Sequence, residues 1–163
     1  MTTKYHIRKI QPSDDARVEH IIRSCLIEFG GNHEGTAWTD PDLGRFYEIY
    51  QGEDRIYYVA EDDSHTVVGG VGIGPLSGVP GTCELQKMYC LPEARGTGIA
   101  HELLTKALEF ARLHYKVCYL ETLPSMVGAQ KFYEKHGFIR IQQALTETGH
   151  TACDVRYEKE LKL

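Results

Sequence analysis

Polar and apolar residues alternate from Tyr5 to Ile10, as in a half-buried strand, and the period then lengthens to that of a helix. Ser13-Asp14-Asp15 offers a cap, and Ala16, Val18, Ile21, Ile22, Cys25, Leu26 and Phe29 follow at helical spacing up to Gly30-Gly31. The stretch from Asn32 to Asp42 holds turn residues and Trp38 but no period, and Asn32 to Thr39 is expected to be a functional loop. Pro41 suits the first turn of a short helix through Leu43, Phe46, Tyr47 and Tyr50. Two β-branched and aromatic runs, Arg55 to Glu61 and Thr66 to Ile73, flank Glu61-Asp62-Asp63-Ser64-His65 and predict an antiparallel hairpin. Gly78-Val79-Pro80-Gly81 turns the chain before a strand from Cys83 to Leu91, which Pro92 ends.

After Pro92 the period is helical again. Ile99, Leu103, Leu104, Ala107, Leu108 and Ala111 form one stripe, with Glu102, Lys106, Glu109 and Arg112 opposite. Val117 to Thr122 reads as an apolar strand and Pro124-Ser125 as a helix start. Met126, Ala129, Phe132 and Tyr133 make one helix face ending at Gly137, with Phe138 free to fold back on the last turn. Phe138 to Ile141 and Thr151 to Glu158 complete the pattern as strands joined by a polar loop. No repeat, linker or low-complexity segment interrupts the 163 residues, so one domain spanning 1–163 is expected.

Composition narrows the class. With 42% apolar and 25% charged residues, the chain is neither disordered nor fibrous. No run approaches the ~18 apolar residues of a membrane span. The start Met1-Thr2-Thr3-Lys4-Tyr5-His6 lacks the apolar run of a signal peptide, so the expected compartment is the cytoplasm. Cys25, Cys83, Cys90, Cys118 and Cys153 are odd in number without Cys-x-x-Cys spacing, which favours buried thiols over disulfides or zinc. The eight histidines show no ligand spacing, and no metal is expected. A net charge of -5 argues against a nucleic-acid binder. The charge is uneven: Met1 to Glu84 carries fourteen acids against seven Lys and Arg, whereas Leu85 to Arg140 carries five against eight. The second half suits an anionic cofactor and the first a cationic partner.

The stretch from Leu85 through Pro92 to Ala100 reads as a strand, a turn rich in glycine and a helix start. Glycines let backbone approach a ligand, and the free N–H groups and dipole of a helix start favour phosphate oxygens. Gly-Lys-Ser/Thr of a Walker loop is absent. The dinucleotide fingerprint lacks its third glycine, where His101 stands, although Glu121 lies at about the distance of its acidic residue. Gly69-Gly70-Val71-Gly72-Ile73-Gly74 leads into Pro75 and not a helix, and is read as a strand of little bulk.

Arg95-Gly96-Thr97-Gly98-Ile99-Ala100 matches the Gln/Arg-x-x-Gly-x-Gly/Ala pattern of the GNAT superfamily of acetyl-CoA-dependent N-acyltransferases. Ala129-Gln130-Lys131-Phe132-Tyr133-Glu134-Lys135-His136-Gly137-Phe138 resembles the family's later Ala-x-x-x-Tyr-x-x-x-Gly-Phe segment, and element order agrees over nearly the whole chain. The resemblance implies an α/β (α+β) domain with a mixed, mainly antiparallel sheet of about seven strands. Its fourth and fifth strands would splay, and about four helices would flank it. It implies that the backbone of Met88, Tyr89 and Cys90 holds the pantetheine arm of acetyl-CoA. The N–H groups of Gly96, Thr97, Gly98, Ile99, Ala100 and His101 would then hold its pyrophosphate, with Arg95 adding charge and Met126 and Ala129 on the cofactor side. Met126 departs from an Asn frequent in the family, and Ser125 is the substitute considered.

Chemistry sets further demands. An alkylamine of pKa ~10.4 is about one part in a thousand unprotonated at neutral pH, so a base is needed. By the resemblance Glu84 and Glu121 are candidates, Glu84 preferred, with relay through water as an alternative. Tyr133 matches the family tyrosine that protonates the departing thiolate. A non-catalytic acyl-CoA sensor is the competing reading, and a nucleotide-binding oxidoreductase the third. The acceptor is expected to be a small amine, cationic when free, and not a nucleic acid, lipid or large protein; a homodimer is left open. Residues 32 to 50 would shape its site, with Glu34, Asp40, Asp42 and Glu48 against Arg45 as an acidic rim, and Trp38, Phe46, Tyr47 and Tyr50 as an aromatic wall.

Overall fold

A computed structural model describes residues 4–162, so the first three residues of the start read for a leader lie outside the described residues. Seven strands form one sheet: β1 (His6–Lys9), β2 (Ile56–Glu61), β3 (Val67–Pro75), β4 (Thr82–Cys90), β5 (Val117–Thr122), β6 (Ile139–Ile141) and β7 (Val155–Glu160), in the order β1-β2-β3-β4-β5-β7-β6. Every pairing is antiparallel except β4 with β5. That pair is parallel because α3 (Ile99–His114) carries the chain back between them.

Alternation along the strands builds two cores. The α3 stripe of Leu103, Leu104, Ala107 and Ala111 lies on Val71, Ile73, Cys83, Leu85, Cys118 and Leu120, and α4 (Val127–Lys135) adds Tyr133 to the same layer. On the opposite face, α1 (Asp15–Glu28) packs Ile21, Ile22, Cys25 and Leu26 towards Tyr57 and Val59, with Phe46 of α2 (Phe46–Ile49) beside them. The glycine-rich run is a strand, and the packing supplies the reason. A Cβ on Gly70 would stand 2.6 Å from the Tyr57 ring, and one on Gly72 2.9 Å from the Tyr50 hydroxyl. Absent side chains on β3 admit aromatic ones from its neighbours.

Several expected boundaries move. The helix expected from Pro41 is only Phe46–Ile49, because residues 41–44 are turns and Gly44 takes the left-handed φ of 88° that no helix continues through. The capping stretch at 13–15 is a 3-10 turn, Pro12–Asp14, before α1 begins. The last strand starts at Val155 and not at Thr151, since Cys153 N–H closes a turn on the carbonyl of His150. Among the described residues no helix is long and apolar enough to cross a membrane.

Two irregularities shape the centre of the sheet. β4 and β5 pair only at Thr82 with Val117, Cys83 with Cys118 and Glu84 with Tyr119, and beyond Glu84 they part. β4 also carries one extra residue against β3: Gly72 faces Gln86 while Gly70 faces Tyr89. The extra residue is at Lys87, a non-glycine at φ 50°, whose carbonyl accepts the Tyr57 hydroxyl at 2.8 Å. Gln86 and Lys87 thereby both face the α1 side, and the alternation resumes with Tyr89 on that side and Met88 and Cys90 on the α3 side.

Candidate active site

β4 ends at Cys90, a 3-10 turn covers Pro92–Ala94, and α3 begins behind Gly98. Gly96 and Gly98 have φ of 75° and 88°, and a Cβ added at either meets nothing within 4 Å, so both face open space. Only glycine reaches these angles without strain while leaving that space clear. The first amides of α3, from Ile99, Ala100 and His101, follow with no intrahelical acceptor, in the arrangement that suits phosphate oxygens. The side chains around the turn are otherwise engaged. Thr97 donates its hydroxyl to the Ala94 carbonyl, Ile99 is buried, and exposed His101 lies with Nδ1 2.8 Å from His136 Nε2. Arg95 does not reach out from the turn. It makes a two-pronged pair with Glu28 at 2.5 and 2.8 Å and donates Nε to the Cys90 carbonyl at 3.1 Å.

A groove of about 580 Å³ runs from this turn into the gap between β4 and β5. Met88, Tyr89 and Cys90 form one wall, on the edge of β4 that β5 has left, and Met126, Ala129 and Tyr133 are on the other. Strand N–H and C=O groups on such an edge need partners, and an extended amide-bearing chain supplies them. Tyr133 is 7% exposed and lines both the groove and a smaller cleft beyond it, which Glu121 and Lys87 also line. Among the described residues its hydroxyl makes no hydrogen bond, yet it is not fully closed off from the groove; burial pushes its pKa up, which keeps it protonated. Met126 turns its sulfur to the Thr122 hydroxyl at 3.5 Å. Ser125 does not stand in for the missing amide, because it donates to the Phe29 carbonyl at 2.7 Å.

The two glutamates differ in what surrounds them. Glu121 has both oxygens engaged: the Tyr119 hydroxyl donates at 2.6 Å, the Thr148 hydroxyl to the other oxygen, and Arg156 Nε lies at 3.9 Å. Glu84 stands where the strands separate. Among the described residues only Gln86 Nε2 donates to it, at 2.9 Å, while the Tyr50 hydroxyl donates to Gln86 Oε1 at 2.7 Å. Burial raises the pKa of Glu84 above the usual carboxylate range, against the lowering effect of Gln86 and Lys87. Glu84 is therefore the carboxylate with an open oxygen and a tendency to hold a proton.

On the acceptor side a cavity of about 220 Å³ lies between α2 and β4, lined by Asp40, Phe46, Ile49, Arg55 and Lys87 among others. Gln86 and Lys87 also line a cavity of about 50 Å³ that contains Glu84 and His150. Asp40 is at the centre, with Lys87 Nζ 2.8 Å from Oδ2 and His150 Nε2 2.9 Å from both oxygens. Burial opposes its charge, but the bonds from His150 and Lys87 prevail and hold its pKa below the usual range. Asp40, in the acidic rim expected from residues 32 to 50, is thus engaged within the protein, and Asp42 and Glu48 lie 3.7 and 3.3 Å from Arg45. Glu34 is exposed on a turn, and Trp38 lies beneath the Arg23 guanidinium at 4.8 Å; neither lines these cavities. Gln86, Lys87 and His150 were not singled out from the sequence. The first two lie in a strand with no outward mark of the bulge, and His150 lies 110 residues from its partner.

A mixed sheet parted at its parallel pair, with a glycine turn and helix start at one end of the gap and a partly buried carboxylate at the other, is an arrangement that suits acyl transfer. Comparison with known proteins agrees. The profile of the Acetyltransferase (GNAT) family matches residues 17–138. The uncharacterized N-acetyltransferase YjgM of Escherichia coli (strain K12) is 40% identical over 158 residues, 95% of this chain and 94% of that protein. Among solved structures, a GNAT-family acetyltransferase from Staphylococcus aureus Mu50 superposes with a TM-score of 0.85 at 22% identity, over 98% of this chain and 100% of that one. PaiA N-acetyltransferase from Thermoplasma acidophilum, solved with coenzyme A, gives 0.75 at 19% identity, over 96% and 99%. The chain belongs to the acetyltransferase (GNAT) family, and it is an acyltransferase.

Proposed function

We propose that the chain moves the acetyl group of acetyl-CoA to the amine of a small acceptor by direct attack, with both substrates bound at once. The parting of β4 and β5 beyond Glu84 carries this reading, because it leaves Met88 to Cys90 open to the groove while the cleft lined by Tyr133 and Glu121 shares Lys87 and Tyr89 with the cavity that holds Glu84. The residues fit a coenzyme A arm. Gly96 and Gly98 leave open space before a helix start, and Met88 to Cys90 present a free strand edge. PaiA with its coenzyme A is a relative of the same fold. A cavity of about 220 Å³ is below the ~300–1,000 Å³ of drug-sized sites, which favours a small acceptor.

In this reading Glu84 takes the proton from the attacking nitrogen. As the N–C bond forms and the C–S bond breaks, Tyr133 supplies the hydrogen bond or proton that the departing sulfur needs. The domain is proposed to extend over residues 1–163. Acetyl-CoA at a hundred times its dissociation constant should raise the melting temperature by roughly 5–10 °C, and Gly98→Val should remove most of that rise. Tyr133→Phe should lower kcat about a hundredfold while leaving acetyl-CoA affinity unchanged. Binding without turnover across a broad amine panel would leave a sensor, and no binding at all would end the proposal.

A further inference from the structure

The unspent donors on the acceptor cavity wall belong to its two cations, Lys87 and Arg55. Asp40 has both oxygens engaged by His150 and Lys87. Asp42 is at the outer rim, 3.7 Å from Arg45 and about half exposed. Glu84 is held by Gln86 and belongs to the neighbouring cavity. The cations, in contrast, have donors to spare. Lys87 has three N–H groups and, among the described residues, one partner, Asp40. Arg55 spends Nε and Nη2 on Asp54, at 2.9 and 3.4 Å, and its Nη1 has no protein partner among the described residues. Arg55 Nη1 is not sealed away, since among the described residues the polar side-chain atom that is both fully buried and without a partner is Arg156 Nε, and the Lys87 side chain keeps 15% exposure. The bulge adds position. It turns Lys87 into the α1 side, where it lines the acceptor cavity, the Glu84 cavity and the cleft shared with Tyr133.

We infer that the acceptor carries a carboxylate, or a small anion like it, a few bonds from its amine, and that Lys87 and Arg55 hold this anion while the amine faces Glu84. The acceptor class is then an amino acid or a close analogue, with its side chain against Phe46 and Ile49. A bare polyamine would bring more donors to a wall already rich in them. Asp40 acts as the positioning residue, fixing the Lys87 ammonium at the junction of the cavities. The inference rests on acetyl transfer for the role of the amine, and on the unspent donors for the anion.

The test compares matched acceptors, amino acids against their amides and against the amines that lack the carboxylate, in turnover and in binding to the coenzyme A-loaded protein. The wild type should prefer the acids by about tenfold or more in kcat/KM, as expected for a charge-assisted hydrogen bond. Lys87→Met should bring acid and amide within about threefold, Lys87→Arg should keep most of the preference, and Arg55→Gln should reduce it independently of how well the Lys87 variants fold. Binding is read separately from turnover, so the two readings can fail separately. Acids that bind but are never acetylated keep the anion site and end the transferase proposal. Amides or polyamines acetylated as well as the acids overturn the anion site and leave the transferase. A preference unchanged in both Lys87→Met and Arg55→Gln also overturns it, as does absence of carboxylate-dependent binding.

Discussion

Two ionic clusters occupy the α1 side of this molecule. In the first, Arg8 of β1 joins two acids: it donates to Asp14 at 2.7 and 3.1 Å and to Glu61 at 3.2 Å, and Asp14 accepts the Gln11 amide at 2.7 Å. In the second, Asp40 joins Lys87 and the His150 imidazole. Both are largely withdrawn from solvent and both link segments distant in sequence. They differ in completeness. Arg8 has all three of its nitrogens bonded and closes on itself, whereas Lys87 keeps donors facing a cavity. Full satisfaction marks a group that holds a fold together, and spare donors on a cavity wall mark one placed for a ligand.

The comparison can be sharpened first at Glu84, which belongs to neither cluster and, among the described residues, has no cation within bonding distance. Glu84→Gln should cut turnover about a hundredfold or more. The wild-type loss of activity at low pH should fall above the usual carboxylate range, because burial raises the Glu84 pKa. The same substitution should stabilise the ligand-free fold at neutral pH. A folded pKa above the unfolded one means that the native state holds the extra proton, so stability falls as pH rises through that window. A Gln variant whose melting temperature shows the wild-type pH dependence would exclude Glu84 as its source.

Next is the structural cluster. Asp14→Ala should cost about 3 kcal/mol and roughly 6–12 °C in melting temperature, by leaving the Arg8 charge without its main partner. Turnover measured below the new transition should be unchanged. The Arg8 bonds and the Gln11 amide outweigh burial and hold the Asp14 pKa below normal, so its contribution is present at neutral pH and is lost as pH falls through that depressed value. Asp40→Asn should show the reverse profile: a stability change under about 1 kcal/mol and a rise of about tenfold in acceptor KM. If Asp40→Asn instead destabilises as much as Asp14→Ala, the contrast between the two clusters is lost.

The fold was legible wherever a period was sustained. The α3 stripe from Ile99 to Ala111 and the strand at Val117–Thr122 lie where the pattern puts them, because both bury one regular set of apolar side chains. Pro41 misled because a local start signal cannot show that Gly44 will take a left-handed angle three residues on. The parting of β4 and β5 has no residue of its own and was reached only through family likeness. Among site residues, the glycine turn was legible because its conformation demands glycine. Between the two glutamates the sequence supports no more than a slight preference for Glu84, since the partners that occupy Glu121 include Thr148 and Arg156, far along the chain. Counting acids across residues 32 to 50 could not show, for the same reason, that Asp40 pairs with Lys87 and His150, which lie outside the counted segment.

The extra residue at Lys87 resets the parity of β4 partway along the strand. Upstream of it Cys83 and Leu85 belong to one face and Glu84 and Gln86 to the other; downstream the odd and even positions have exchanged places. Many replacements within the strand would alter one contact each. Loss of the Lys87 codon alone would let Met88 follow Gln86 in strict alternation and leave Met88, Tyr89 and Cys90 on their present faces, whereas loss of a codon from the regular stretch between Cys83 and Gln86, with the extra residue kept, would exchange the faces of the residues on one side of it. For a lineage carrying this gene, the extra residue is a position of β4 whose loss spares both faces of the strand and costs it the Lys87 side chain.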